Sequence, residues 1–284
     1  MNTCTLLLGL LLIASAARSA TTIDPVNRFA FGANIGWLDA AGDTANGAVI
    51  GEFVCSGYIY SANIGWINLG SGTAANGIQY QNNSATDFGV NRDGAGNLRG
   101  FAYSANVGWI TFEDTGAPRV DLATGRLTGY AWSANCGWIS LSNTDAYVQT
   151  YRIEPGGLAP NGLPIAWLLT YFGRVDVDPN ADPDGDQMTN WQEYRAGTNP
   201  TNSDSKFVIT TANPIVTGTV VTLTWSSMPT RVYYIEKTAE LMSGVWTDSG
   251  LGMIAPDPGT NTTRSFTDTS GQFYRIRVAI PTGP

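Results

Sequence analysis

The sequence predicts a mainly β protein made of several compact units. Only 13% of its 284 residues are charged, whereas glycine, threonine, serine, asparagine and aromatic residues are plentiful. This composition favours strands and turns over amphipathic helices. An eleven-residue motif recurs through the first half of the chain, and alternating apolar and polar residues return after residue 207. A chain of this length usually divides into two or three units.

Residues 1–19 have the layout of a secretory signal peptide. An apolar run from Leu6 to Ala14 is followed by small residues, and cleavage is expected after Ala17 or Ser19. A buried or membrane-spanning helix is the alternative, but the run is shorter than the roughly 20 apolar residues that cross a bilayer. No second run of this kind follows. We therefore expect a secreted or cell-surface protein with no transmembrane segment in the mature chain.

Residues 21–153 contain four copies of the recurring motif. YSANIGWINLG begins at Tyr60, YSANVGWITFE at Tyr103 and WSANCGWISLS at Trp132, and a degenerate copy, FGANIGWLDAA, begins at Phe31. Side chains alternate across a strand on each side of the Ser-Ala-Asn-x-Gly segment. Asparagine and glycine tolerate positive φ, so this segment predicts a hairpin turn. Two further hairpins are predicted upstream, through Asp93-Gly94 and Thr124-Gly125.

The second strand of each copy alternates tryptophan with isoleucine or leucine, so both of its faces are apolar. Such a sheet is expected to be covered on both sides. The repeat region is therefore predicted to form stacked hairpins in a propeller-like or solenoid-like arrangement. The sequence does not decide how the hairpins close.

The repeated aromatic residues have two possible roles. They could form a platform for sugar rings, with Asn34, Asn63, Asn106 and Asn135 as hydrogen-bonding partners. They could instead belong to the core, with the asparagines forming turns. The second interpretation is favoured, because glycine and asparagine recur at positions that a turn requires.

Cys55 and Cys136 both lie in the repeat region. An oxidising compartment would permit one disulfide between them. Two buried free thiols are the alternative. Cys4 lies within the predicted signal peptide.

A Pro/Gly-rich connector, residues 154–162, is followed by an apolar helix predicted from Pro164 to Gly173. The segment DPDGDQMTNWQE, residues 182–193, then has the spacing of a calcium-binding loop. Its carboxylates would repel one another without an ion, so metal binding and folding should be coupled. A solvated acidic turn is the alternative. The expected ligands are Asp182, Asp184, Asp186, the backbone carbonyl of Met188, Asn190 and Glu193.

One feature of the loop departs from the EF-hand pattern. The glycine expected at loop position 6 is replaced by Gln187, and Gly185 stands at position 4. Calcium, which takes 6 to 8 oxygen ligands at about 2.3–2.6 Å, fits the donor set better than magnesium, which requires a stricter octahedron.

Residues 163–207 resemble the bacterial version of the thrombospondin type-three repeat, which is similar to EF-hand and dockerin loops. The shared signature is an apolar helix ending in Tyr-Phe-Gly, an Asp-Pro-Asp-Gly-Asp loop, Asn-x-x-Glu-Tyr and then Ala-Gly-Thr-Asn-Pro. The resemblance implies calcium binding and an extracellular spacer role for residues 163–206. A second ion would be held by Asp178, Asn180, Asn199, Asn202 and Asp204.

Residues 207–284 return to a strand pattern, in FVITTA, VVTLTWSS, RVYYIEKT, VWTDSG, RSFTDT and FYRIRVAI. Short strands separated by turn residues predict a small β-sandwich. The placement of Trp225, Tyr234 and Tyr274 resembles that in fibronectin type III-like modules, and Trp225 is expected in the core.

The composition also restricts the possible functions. The net charge is −8, which disfavours binding to nucleic acid. The chain has no histidine, which removes the Ser-His-Asp and Cys-His nucleophiles and any histidine-based zinc site. The carboxylates of the repeats show no pairing suited to glycoside hydrolysis. We therefore expect a non-enzymatic, calcium-stabilised structural or adhesion protein with an unknown surface partner. The alternative is a carbohydrate-binding module.

Overall fold

The computed structural model describes residues 21–211, 220–269 and 273–281, together with the backbone of 215–217. The predicted signal peptide and Cys4 lie outside these residues. The described residues contain eighteen strands and two short α-helices, which confirms that the protein is mainly β. Neither helix is long and apolar enough to cross a membrane.

Residues 21–153 form twelve strands. Eight of them close into one antiparallel barrel, in which neighbours in the sheet follow one another along the chain. The strands are β1 (Ile23–Gly32), β2 (Gly36–Asp39), β3 (Ser56–Ser61), β4 (Gly65–Ser71), β5 (Val90–Arg92), β6 (Leu98–Ser104), β7 (Gly108–Phe112), β8 (Arg119–Val120), β9 (Leu127–Thr128), β10 (Tyr130–Ser133), β11 (Gly137–Ser140) and β12 (Val148–Thr150).

Each copy of the motif contributes one hairpin to the barrel, as predicted: β1–β2, β3–β4, β6–β7 and β10–β11. The last strand of the barrel, β11, pairs with the first, β1, through Phe31 opposite Ser140 and Gly32 opposite Ile139. The hairpins are thus joined edge to edge in one closed sheet. They are not stacked in the propeller-like or solenoid-like arrangement that the sequence predicted. The two upstream hairpins are also present, as β5 paired with β6 and β8 paired with β9.

The inner face of the barrel is filled by one large aliphatic side chain from the second strand of each hairpin: Leu38, Ile67, Ile110 and Ile139. In an up-and-down barrel all four repeat turns lie at the same end. The variable residue of each turn is apolar and buried there, where it closes that end of the core. These four residues are Ile35, Ile64, Val107 and Cys136.

Cys55 and Cys136 are both free, buried thiols, so the disulfide that the sequence would permit is not formed. Cys136 lies at the turn end of the barrel, whereas Cys55 precedes β3 and lies at the opposite end. The six residues of β3 span about 20 Å, and Cα atoms joined by a disulfide are less than about 7 Å apart. Burial raises the pKa of the Cys55 thiol to about 11.

The repeat asparagines connect one hairpin to the next. Asn63 Nδ2 donates to the carbonyl of Ile35 at 2.9 Å, one copy earlier. The equivalent bonds join Asn106 to Ile64 at 3.1 Å and Asn135 to Val107 at 2.9 Å. The degenerate first copy completes the circle, because Asn34 donates to the carbonyl of Cys136 at 3.1 Å. The asparagines therefore act between copies as well as within their own turns.

The outer face of the barrel is not covered, so the expectation that both faces are buried is wrong. The repeat tryptophans Trp37, Trp66, Trp109 and Trp138 are 45–49% exposed. The first-strand aromatics Tyr60, Tyr103 and Trp132 are also exposed. The interpretation of these rings as core residues is therefore wrong: closure of the sheet places the small and aliphatic side chains inside.

A helical segment follows the barrel. Helix α1 (Ile165–Phe172) begins after Pro164 and ends at Gly173, whose φ of 65° is left-handed. Helix α2 (Asn190–Ala196) has a capping box between Thr189 and Gln192. A small core of Leu163, Trp167, Leu168, Val177 and Tyr194 holds the two helices together and contacts Phe53 of the barrel region and Ile280 near the C-terminus.

The remaining described strands are β13 (Ile215–Thr217), β14 (Val220–Ser226), β15 (Val232–Thr238), β16 (Thr247–Asp248), β17 (Asn261–Thr267) and β18 (Phe273–Ala279). They form two three-stranded sheets, β13–β14–β17 and β16–β15–β18. Both sheets contribute to one core around Trp225, which is fully buried as predicted. The segment from Phe207 makes only an isolated bridge, between Ile209 and Trp225, in place of the first predicted strand.

The asparagine connections predict a stability effect. Asn106→Ala removes the bond to the Ile64 carbonyl and should lower the free energy of unfolding by about 1 to 2 kcal/mol. Asn83→Ala, in an exposed loop, is the matched control and should change it by less than about 0.5 kcal/mol. Urea unfolding of both variants measures the difference. Equal stability of the two would show that the connection is not needed to close the barrel.

Candidate metal centre

The predicted ligand loop lies between α1 and α2. One carboxylate oxygen from each of Asp182, Asp184 and Asp186 lies within 4.8 Å of the others, an arrangement that could hold a metal ion. Three carboxylates this close repel one another unless a cation lies between them. The structure therefore brings together the first three of the predicted ligands.

Backbone amides hold the loop in this shape. Asp182 Oδ1 accepts from the Gly185 amide at 2.8 Å and Oδ2 from the Gln187 amide at 2.8 Å. Burial raises the pKa of Asp182, but the hydrogen bonds from Gln187, Gly185 and Asp186 outweigh it and lower the pKa below its ordinary value. Asp182 is thus kept ionised by the loop itself.

In both Asp184 and Asp186, one carboxylate oxygen accepts a backbone hydrogen bond and the other has no partner. Asp184 Oδ1 accepts from the Asp186 amide at 3.3 Å, and Asp186 Oδ1 accepts from the Met188 amide at 2.8 Å. The other oxygen of each, Oδ2, is buried without a hydrogen-bond partner. One oxygen therefore shapes the loop, and the second remains available to a cation.

The departure from the EF-hand pattern does not remove the required backbone conformation. Gln187, at loop position 6, has φ 79°, in the left-handed region that a glycine usually supplies. Gly185 has the same φ of 79°. A left-handed glutamine costs about 1 kcal/mol relative to glycine. The loop therefore keeps the left-handed backbone at position 6 with a strained glutamine, although the sequence suggested a departure from EF-hand geometry.

Helix α2 supplies the last two predicted side chains. Asn190 and Glu193 are three residues apart on one helical face, and both are fully buried. Asn190 Nδ2 donates to the Asp178 carbonyl at 2.8 Å, whereas its Oδ1 has no partner. Neither Oε1 nor Oε2 of Glu193 has a partner. A buried, unpaired carboxylate is costly, and a bound cation would remove that cost.

The charge state of Glu193 reflects this environment. Burial raises the pKa of Glu193 to about 7; the Thr198 side chain opposes this shift, and the charges of Asp184, Asp186 and Asp182 add to it. The three aspartates thus act directly on Glu193. A divalent cation in the loop would favour the ionised form and reverse this shift.

The remaining predicted ligands stay predictions. The Met188 carbonyl is one of them. The second set, Asp178, Asn180, Asn199, Asn202 and Asp204, is engaged in local turns in which side chains accept from nearby amides: Asp178 from Asn180, Asn199 from Thr201 and Asn202 from Asp204.

The contacts that surround α2 could not be predicted from the sequence. Tyr194, the residue after Glu193, donates its hydroxyl to Glu52 Oε2 of the barrel region at 3.0 Å. Arg231, from the C-terminal sheets, is 3.7 Å from Glu52 Oε1 and donates Nε to the Arg195 carbonyl at 2.9 Å. Arg231 is buried and also donates to the Tyr194 carbonyl. We call Glu52, Tyr194 and Arg231 the joint.

The joint connects all three parts of the chain. Arg92 of β5 donates to the Glu52 carbonyl at 2.7 Å, and the Arg231 guanidinium lies 5.8 Å from the centre of the Tyr194 ring. Burial, and then the Glu52 carboxylate, raise the pKa of Tyr194, so its hydroxyl stays protonated and donates. The joint therefore links the barrel region, α2 and the C-terminal sheets through hydrogen bonds and one buried ion pair.

No protein-family model, curated protein or solved structure matches the chain.

The pKa of Glu193 predicts a pH effect in the absence of metal. The folded protein retains a proton on Glu193 up to about pH 7, so the stability that this proton gives is complete below about pH 4.5 and is lost as the pH rises through about 7. With a chelator present, Glu193→Gln should therefore stabilise the protein by about 1 kcal/mol or more at about pH 8, and by much less at about pH 5.

Urea unfolding at the two pH values measures this effect. Glu240→Gln, at an exposed position, is the control and should show no such difference. A Glu193→Gln variant that is less stable than the wild type at the higher pH would contradict a buried, unpaired carboxylate.

Proposed function

We propose that this chain is a secreted or cell-surface structural protein, without enzymatic activity, in which a calcium ion stabilises the connection between the barrel and the C-terminal sheets. The observation that carries the proposal is the set of buried oxygens without partners on Asp184, Asp186, Asn190 and Glu193. The oxygens of Asp184 and Asp186 belong to the cluster of three loop carboxylates, and those of Asn190 and Glu193 lie on the helix that follows the loop. A cation is the partner that we propose for them together.

Calcium is the ion that fits the donors best. All of the proposed side-chain ligands offer oxygen, which hard cations prefer over the nitrogen and sulfur donors typical of zinc sites. The loop spacing and the left-handed residue at position 6 suit the flexible coordination of calcium better than the strict octahedron of magnesium. The resemblance of residues 163–207 to thrombospondin type-three repeats supports the same ion and an extracellular location.

The ion would act on the joint through α2. Glu193 and Tyr194 are consecutive residues of this helix. The loop aspartates raise the pKa of Glu193, and Tyr194 donates to Glu52 of the barrel region. A cation that fixes Glu193 therefore also fixes the direction of Tyr194 and of the two carbonyls that bind Arg231. We infer that calcium holds the barrel and the C-terminal sheets in one relative orientation.

The proposed role does not involve catalysis. Among the described residues, the buried carboxylate oxygens without partners all belong to residues 182–193, here called the metal loop. The chain contains no histidine. The C-terminal sheets, proposed as a fibronectin type III-like module, would serve as a spacer or attachment unit. The surface partner would be a protein or a glycan outside the cell.

Carbohydrate binding by the repeats is a second candidate function. The observation that favours it is the exposure of the repeat aromatics, which the sequence had suggested were core residues. Large exposed aromatic surfaces on a protein mark interaction sites. The repeat asparagines take no part in this candidate, because their amides bind backbone carbonyls.

The calcium proposal predicts a thermal effect. A calcium concentration about 100 times the Kd should add about 2.7 kcal/mol of stability, which raises the Tm by roughly 5 to 10 °C for a chain of this size. The double variant Asp184→Ala, Glu193→Ala should lose this response. Asp176→Ala, an exposed carboxylate in the same segment, should keep it.

Differential scanning calorimetry with calcium, magnesium and chelator measures these shifts. If wild-type protein shows the same Tm in calcium and in chelator, the calcium site does not exist. An equal response of Asp176→Ala and the double variant would show that the effect does not come from this loop.

The joint predicts a second effect. Tyr194→Phe removes the hydrogen bond to Glu52 without touching the ligand set, so calcium affinity should change by less than about threefold while stability falls by about 1.5 to 3 kcal/mol. Hydrogen exchange at residues 50–54 and 229–233 should no longer slow on addition of calcium. Tyr234→Phe, in the C-terminal sheets, is the control. Unchanged calcium protection in Tyr194→Phe would contradict coupling through the joint.

A further inference from the structure

The outward side chains of the barrel form four equivalent rows across the strands. Each row has an aromatic residue, a polar residue, a second aromatic residue and a tryptophan on four neighbouring strands. The rows are Phe29, Asp39, Tyr60 and Trp66; Tyr58, Asn68, Tyr103 and Trp109; Phe101, Thr111, Trp132 and Trp138; and Tyr130, Ser140, Phe31 and Trp37. The sheet thus carries a continuous aromatic belt.

Surface grooves lie beside two of the tryptophans. The groove at Trp109 has a volume of about 430 Å³ and is lined by Phe88, Phe101, Trp109 and the loop of residues 82–85. The groove at Trp138 has a volume of about 170 Å³ and is lined by Thr111, Glu113, Thr115, Gly116, Tyr130, Trp132 and Trp138. Loops between the repeats therefore form a wall beside the exposed rings.

Neighbouring rings hold the two tryptophans in place. The Phe88 and Phe101 rings meet Trp109 edge-on, with centroids 5.1 and 5.9 Å away. Tyr130 meets Trp138 edge-on at 6.1 Å. Edge-on contacts leave indole surface open, and the two tryptophans remain 46% and 49% exposed. Each groove therefore has a fixed aromatic wall before any ligand binds.

The two grooves adjoin across β7. Trp109 and Thr111 are alternate residues of this strand on the outer face, and Thr111 pairs with Trp132 in the row that ends at Trp138. Two strand spacings and two residues along the strand separate the tryptophans by roughly 12 Å. A ligand that touches both rings must therefore be longer than a single sugar.

The lining restricts the chemistry of the ligand. Neither groove is lined by lysine or arginine, and Arg99 on the neighbouring strand β6 is ion-paired with Asp114. Phosphates, nucleic acids and acidic glycans would therefore find no counter-charge. The polar groups present are amides, hydroxyls and one exposed carboxylate, Glu113. These groups suit hydroxyls, while the rings suit the apolar faces of a pyranose.

We propose that strands β6, β7, β10 and β11 bind a neutral oligosaccharide across both grooves, with Trp109 and Trp138 each stacking on a different sugar ring. This inference rests on the carbohydrate-binding candidate and adds the place of the site, the neutral charge of the ligand and the need for several sugar units.

The barrel supplies its own controls. Trp37 lies on β2, on the side opposite β7, and Trp66 lies on β4, on the side opposite β11. Both have nearly the same exposure as Trp109 and Trp138. The test uses calorimetric titration of the full chain with cellohexaose, laminarihexaose, chitohexaose and mannohexaose. Glucose tests the need for length, and hexagalacturonic acid tests the need for neutrality.

At least one neutral hexasaccharide should bind. Trp109→Ala and Trp138→Ala should each weaken that binding by about tenfold or more, while Trp37→Ala and Trp66→Ala should change it by less than about twofold. Trp109→Phe, which keeps a ring, should recover part of the affinity. Circular dichroism and the Tm of each variant verify that the half-exposed substitutions leave the barrel folded.

The outcomes distinguish carbohydrate binding by the barrel in general from binding at these two grooves. If no neutral glycan binds, both the carbohydrate-binding candidate and this site are overturned. If a neutral glycan binds but all four tryptophan variants weaken it equally, or Trp37→Ala and Trp66→Ala weaken it most, carbohydrate binding stands and this site is wrong. Equal affinity for glucose and the hexasaccharides would overturn a ligand that spans both grooves, and tighter binding of hexagalacturonic acid would overturn its neutrality.

Discussion

The structure of the repeat region depends on one hydrogen bond that is made four times. In each copy the turn asparagine donates to the carbonyl of the apolar turn residue in the copy before it, and the first copy donates to the last. Because every copy both donates and accepts, the set is complete only as a circle. This requirement explains why the degenerate first copy, which has Gly32 where the others have serine, still keeps Asn34. It also places the four apolar turn residues together at one end of the core.

The same circle fixes which side chains face outward. Side chains alternate along a strand, so a shift of one residue would exchange the two faces of the sheet. With the turns held at one end, small and aliphatic residues point into a barrel that leaves no room for indoles, and the tryptophans must lie outside. The aromatic belt therefore follows from closure of the sheet. Cross-strand ring contacts stabilise the sheet, yet nearly half of each indole surface remains available for binding.

The sequence predicts those features that depend on neighbouring residues. The hairpin turns, the small upstream hairpins, the end of α1 at Gly173 and the spacing of the loop carboxylates all follow from local backbone and side-chain preferences. Closure does not, because a tryptophan alternating with an isoleucine is equally consistent with a covered sheet and with a barrel whose outer face is aromatic. The joint was also not predictable, since Glu52 and Arg231 are ordinary charged residues until the fold brings them to Tyr194. Gln187 shows the reverse case, in which the fold imposes on a glutamine a conformation that local preference assigns to glycine.

The barrel and the joint differ in how far they depend on an ion. The barrel is held by backbone pairing, its aliphatic core and the asparagine circle, none of which uses a carboxylate of the metal loop. The joint, in contrast, is built on α2, whose Glu193 is buried near the carboxylates of the loop, so that its ionised form is disfavoured in the absence of a cation. If calcium binds as proposed, its loss would change how the barrel is oriented relative to the C-terminal sheets, while the aromatic surface of the barrel would stay the same. Under this proposal, calcium would determine how the aromatic surface is presented, and the repeats would determine what it binds.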